Sequence, residues 1–215
     1  MGVVNKSIKK SRLNYEQGGS STSRSLSVLL IEDKKASRSP LKKALSDFNY
    51  QVSKHLSFDD NIITQIELCN PDILILATDL PSDKILKDLA EINQMLPLPI
   101  IIFAEHDSPN VIQNAIKAGV SAYVVHEILP QRINSIISVA NERFKEVQRL
   151  RNELKQAKTQ LEARKLIERA KGYIMQQKKI DENEAYGTLR KMAMDQGAPL
   201  AVVAKNIIDV CELLS

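Results

Sequence analysis

Aromatic rings are scarce in this chain: no tryptophan, four phenylalanines and five tyrosines in 215 residues. Extended stacking on nucleic-acid bases has little material to work with, so contact with a polyanion must rest mainly on cations. Cysteine is limited to Cys69 and Cys211, far apart in segments that read as helices. They define neither a disulfide framework nor a zinc-ligand spacing, and read as small core residues in a reducing compartment. No apolar run is long enough to cross a bilayer, so no membrane association is expected. The basic, polar start MGVVNKSIKKSRLNYEQGGSSTSRS holds no signal-peptide core, and Lys6 stands where a myristoylation motif needs Ser or Thr. Residues 1–25 read as a disordered tail with a flexible GGSSTS run, and the protein as cytoplasmic.

What is present falls into two halves. Residues 26–130 alternate short apolar runs with helical patterns. LSVLLI (26–31), YQVSKH (50–55), DILILA (72–77), LPIIIFA (98–104) and SAYVVH (121–126) read as strands. Between them lie helical segments at 36–48, 58–70, 82–96 and 108–119. Ser82 or Asp83 and then Ser108 read as N-caps, Pro109 as a first-turn residue and Gly119 as a stop. Five apolar strands alternating with helices predict a parallel, doubly wound α/β sheet covered on both faces.

After Pro130 no strand pattern remains. Residues 131–179 read as one long helix containing a single glycine, Gly172. Ile133, Ile137, Ala140, Phe144 and Val147 hold a 3-4 spacing, and Leu150, Leu154, Ala157 and Leu161 resume it after a one-residue slip. So long a stripe must be buried against something, and a two-stranded coiled coil over 131–162, hence a homodimer, is expected. Asp181 and Glu184 form a capping-box pattern, and Pro199 opens a last helix. Residues 163–215 are expected to form a three-helix bundle.

Charge follows the same division. Residues 25–130 carry 9 Lys or Arg against 14 Asp or Glu, whereas residues 141–180 carry 12 against 5. A clustered basic surface on a helical module is the footprint of polyanion binding.

Over residues 26–130 the chain resembles the aspartyl-phosphate receivers, which have the CheY-like fold. The resemblance implies two metal-binding acids after the first strand, here Glu32 and Asp33. It also implies a phosphoacceptor Asp after the third strand, a hydroxyl after the fourth and a Lys after the fifth. This sequence has Ala77, Ala104 and His126 at those positions, a degenerate phosphoacceptor site without catalytic groups. Asp79 shares the strand parity of Ala77 but lies about 7 Å further along an extended chain. It reads as a turn residue, and a displaced phosphoacceptor is the alternative.

The segments AKGYIM (170–175), EAYGTLRKMAM (184–194) and VAKNII (203–208) resemble the ANTAR family, the RNA-binding module of transcription antitermination regulators. Ala170, Ile174, Ala185, Leu189, Ala193, Val203 and Ala204 read as the packed seam. Lys171, Lys178, Lys179, Arg190 and Lys191 read as the cationic set that would face RNA. Tyr186 is the aromatic best placed for stacking, although a tyrosine at an apolar helical position is more often core. QGAPL (196–200) departs from the family, which has polar or basic residues there. AIKAGVSAYVV and LPQRINSIISVANERF are similar to the NasT-like nitrate-assimilation type. That resemblance implies binding to leader hairpins, terminator readthrough, and control by a nitrate- or nitrite-sensing protein. It implies only indirect contact with RNA polymerase. No enzymatic activity, cofactor or metal is expected. A DNA-binding regulator is a further alternative, although the helical tip lacks an obvious recognition helix rich in Arg, Asn and Gln.

Overall fold

The computed structural model describes residues 25–32, 41–58, 60–106, 108–125 and 129–213. The chain divides into two compact units, Met1–Glu142 and Arg143–Ser215.

The first unit is a five-stranded parallel sheet of order β2-β1-β3-β4-β5. Its strands are β1 (Ser27–Glu32), β2 (Gln51–Leu56), β3 (Ile73–Thr78), β4 (Ile100–Ala104) and β5 (Ala122–Val125). Parallel strands need helical crossovers. Here these include α1 (Leu41–Asp47), α2 (Ile62–Cys69), α3 (Asp83–Met95) and α4 (Pro109–Lys117). Every residue of β3 and β4 is buried, as expected of central strands covered on both faces.

Strand alternation sorts the core into two layers. Leu29, Ile31, Leu74, Leu76, Ile100 and Ile102 pack with Ile66, Leu89 and Ala115 from α2, α3 and α4. Val28, Leu30, Ile73, Ile75, Ala77, Ile101 and Phe103 face the other way, against Leu41, Ala44 and Leu45 of α1. Ile133, Ile137 and Ala140 join that second layer. They belong to α5 (Ile133–Lys178), a 46-residue helix preceded by a 3-10 turn at Pro130–Arg132.

Local chemistry sets the ends of these elements. Asn61 and Ser82 cap α2 and α3 through side-chain oxygens that accept from the amides of Thr64 and Ile85. Ser108 occupies the N-cap of α4 but makes no side-chain hydrogen bond there, and Pro109 in the first turn needs none. Gly119 follows α4 at φ +91°, and a Cβ there would come within 1.9 Å of Asn93 Nδ2, so the turn requires glycine. Phe48, expected on the apolar face of the first helix, lies just past its end and is 39% exposed. The part of that segment before Leu41 lies outside the described residues.

The second unit holds the rest of α5, then α6 (Glu182–Asp195) and α7 (Leu200–Leu213). Ala170, Ile174, Ala185, Leu189, Ala193, Val203, Ala204 and Ile208 form its core. Four of the eight are alanines, which let the helix axes approach closely. The capping box is complete: Glu184 N–H donates to Asp181 Oδ1 (2.8 Å), and Asp181 N–H to Glu184 Oε2 (3.4 Å). Lys179, in the left-handed region at φ +53°, turns the chain between α5 and α6.

Candidate functional site

In the first unit the receiver-like position lies at the C-terminal edge of the sheet. Glu32 pairs with Ala77 across β1 and β3, Ala77 with Phe103, and Thr78 with Ala104. All five residues are buried or nearly so. Alternation directs Thr78 to the opposite face from Ala77, so its hydroxyl does not replace a group lost there. The methyl group of Ala77 packs into the α1-side core and offers no nucleophile. Ala104 belongs to the opposite core layer. Asp79 lies in the exposed turn after β3, where its carbonyl oxygen accepts from the amide of His106 (3.1 Å). Asp33 and His126 lie outside the described residues.

Glu32 is 5% exposed, and a buried carboxylate needs a partner. Its Oε2 lies 2.8 Å from Nε2 of His55, while Oε1 is buried without a partner among the described residues. His55 reaches it because β2 carries a bulge. The register runs from Val28↔Val52 to Leu29↔Lys54, leaving Ser53 as the extra residue, and then pairs Leu30 with His55. The Ser53 hydroxyl donates to the carbonyl of Val28 (3.1 Å). An unbroken ladder would set Lys54 opposite Leu30, and nothing in the strand pattern marks the bulge. A Mg²⁺ site needs several open oxygen ligands. Among the described residues Glu32 supplies one carboxylate here, with Oε2 already paired to His55.

The second unit gathers the cations. Lys178, Lys179, Arg190 and Lys191 are exposed and carry no ion pair among the described residues. Lys171 differs from them. It is 7% exposed, and its ammonium donates to Glu168 Oε2 (2.8 Å) and Glu182 Oε1 (2.7 Å). These hydrogen bonds, Glu168 first, raise its pKa above the ordinary lysine value. The clamp ties α5 to the first turn of α6. Tyr173 is likewise engaged, with the Arg169 guanidinium 6.0 Å from its ring centre and paired with Glu212. Tyr186 is 43% exposed and stands outside the core, contrary to the usual fate of a tyrosine in a helix.

The apolar stripe of α5 changes character along its length. Ile133, Ile137 and Ala140 are buried in the first unit's core, whereas Val147, Leu150, Leu154 and Leu161 are each at least 45% exposed.

Comparison with known proteins matches the response regulator receiver domain to residues 28–138 and the ANTAR domain to residues 155–208. The transcriptional regulatory protein PdtaR of Mycobacterium tuberculosis (strain H37Rv) is 26% identical over 182 residues, 85% of this chain and 89% of that protein. The nitrate regulatory protein of Klebsiella oxytoca is 35% identical over 75 residues, 35% of this chain and 19% of that protein. A CheY-like receiver domain protein from Methanospirillum hungatei JF-1 aligns at a TM-score of 0.49 with 19% identity, covering 57% of this chain and 99% of that one.

Proposed function

The chain belongs to the response regulator receiver family, and from that premise we propose an RNA-binding antitermination regulator switched by a protein partner instead of a phosphoryl group. Buried Ala77 carries this reading. It occupies the position where the family's chemistry needs a carboxylate, and Ala104 likewise removes the hydroxyl that would hold the phosphate. A sheet domain kept intact without that chemistry is suited to docking, and its acidic surface favours a basic partner face.

The output is the helical tip. Lys178, Lys179, Arg190 and Lys191 present free cations to leader RNA, and Lys171 braces the turn that bears two of them. Specific RNA readout favours unpaired loop bases, so hairpin loops are the natural target. Binding there stabilises an antiterminator hairpin, and polymerase reads through the terminator without touching the protein. The exposed leucines of α5 pair two chains into a coiled-coil homodimer. The resemblance to NasT-like regulators and the partial match to a nitrate regulatory protein favour nitrate or nitrite assimilation genes and a sequestering nitrate- or nitrite-sensing protein.

Leader readthrough in a transcription assay tests this reading. The wild-type chain is expected to raise readthrough, and the triple reversal Lys178→Glu, Lys179→Glu, Arg190→Glu to abolish it. Unchanged readthrough in the reversal, or tighter binding to duplex DNA than to leader hairpins, would overturn the proposal.

A further inference from the structure

Helix α6 buries Ala185, Leu189 and Ala193, and turns a second face outward. On that face Tyr186, Arg190 and Met194 follow one another at four-residue steps, with Gly187 and Lys191 alongside. Met194 is 71% exposed and Tyr186 43%. Neither Tyr186, Arg190 nor Lys191 has a partner among the described residues.

Gly187 stands in the interior of this helix, where glycine is the poorest helix former after proline. No steric contact among the described residues requires it: a Cβ at this position meets no atom within 4 Å. The missing side chain leaves bare helix backbone beside an uncovered aromatic ring and a free guanidinium. A flat group can therefore lie against the ring and the helix together. The cations at Arg190 and Lys191 favour an occupant that brings negative charge.

We propose that Tyr186, Gly187 and Arg190 form a nucleobase-docking site, in which an unstacked RNA loop base lies on the Tyr186 ring and over the Gly187 backbone while Arg190 holds the adjoining phosphate. The inference rests on the RNA-binding reading above and gives it a base-contacting surface distinct from the lysines around the α5–α6 turn. A protein partner on the same face is the competing occupant, but the pairing of one aromatic ring with two free cations fits a base and its phosphate better.

The test uses the full-length chain and hairpin RNAs enriched on it from a pool with randomised loops. Tyr186→Leu is expected to lose about tenfold or more in affinity, the usual scale of a base–aromatic stack. Tyr186→Phe is expected to recover most of that loss. The slope of affinity against salt should stay at its wild-type value in Tyr186→Leu and flatten by about one phosphate contact in Arg190→Gln. Gly187→Ala separates folding from binding. It should raise the melting temperature, because alanine suits the helix, while weakening RNA binding. Affinities within twofold of wild type for both Tyr186→Leu and Gly187→Ala would overturn the site while leaving the RNA-binding reading standing. Failure of the wild-type chain to enrich any hairpin would overturn both.

Discussion

Glu32 stands directly opposite Ala77 in the parallel ladder of β1 and β3, and both are buried. Residues paired this way lie within reach of each other, and like charges placed opposite are destabilising. Among the described residues, Glu32 already relies on His55 for its ion-pair contact. Restoring an acid by Ala77→Asp would therefore set two buried carboxylates around one imidazole. The substitution is expected to cost about 3 kcal/mol at neutral pH, the scale of an uncompensated buried charge. Adding Glu32→Gln should recover part of the loss. Urea unfolding of the two single variants and the double variant measures the coupling; strict additivity would mean the two side chains do not interact.

The same geometry predicts the response to a phosphoryl donor. After incubation with acetyl phosphate and Mg²⁺, intact mass should show no aspartyl-phosphate adduct. Asp79 is the one carboxylate placed just beyond β3, and it lies in an exposed turn. An adduct that disappears in Asp79→Asn would identify Asp79 as a displaced acceptor and return control of the protein to phosphorylation.

Lys171 gives a prediction with a defined pH window. Its pKa lies above the ordinary value of 10.5 because Glu168 and Glu182 accept from its ammonium. Folding then favours the protonated form. The stabilisation is complete below about pH 10.5 and fades as pH rises through the folded-state value. Lys171→Met should lower the melting temperature by a few degrees at pH 8. The gap from wild type should narrow at higher pH. Lys178→Met, which removes an exposed and unpaired cation, should leave the melting temperature unchanged. If Lys171→Met keeps full stability but flattens the salt dependence of RNA binding, its ammonium faces RNA and not the two glutamates.

Much of this architecture is legible in the sequence because its signals are local. Apolar runs such as ILILAT give buried strands, the Asp181–Glu184 spacing gives a capping box, and alanines at helical spacing give the seam of the tip. What is not legible depends on register or on tertiary neighbours. The β2 bulge decides that His55, and not Lys54, pairs with Leu30 and so reaches Glu32. Lys171 reads as one cation among five until α6 folds back and sets Glu182 beside it. Tyr186 follows a core position in sequence, and only the packing of Ala185 and Leu189 shows that its ring is left outside.

The exposed part of the α5 stripe supplies the test of assembly. Val147, Leu150, Leu154 and Leu161 recur at spacings of three, four and seven residues, as a coiled-coil seam requires. Beside them Arg149 bonds Glu146 and Glu153 on the helix's own surface. Such exposed pairs add little stability. In the proposed dimer, the apolar seam would therefore provide most of the energy of pairing. Each leucine that becomes fully buried contributes roughly 2 kcal/mol. A dimer buries every seam position twice, so replacing two of them removes four buried side chains. Leu150→Asn with Leu154→Asn should convert a dimer to a monomer in light scattering, with the sheet unit still folded by circular dichroism. These substitutions leave every cation in place. Any loss of RNA affinity that accompanies dissociation would then measure how much the tip depends on being presented in pairs. A wild-type chain that is monomeric at micromolar concentration would show instead that some other surface covers the stripe.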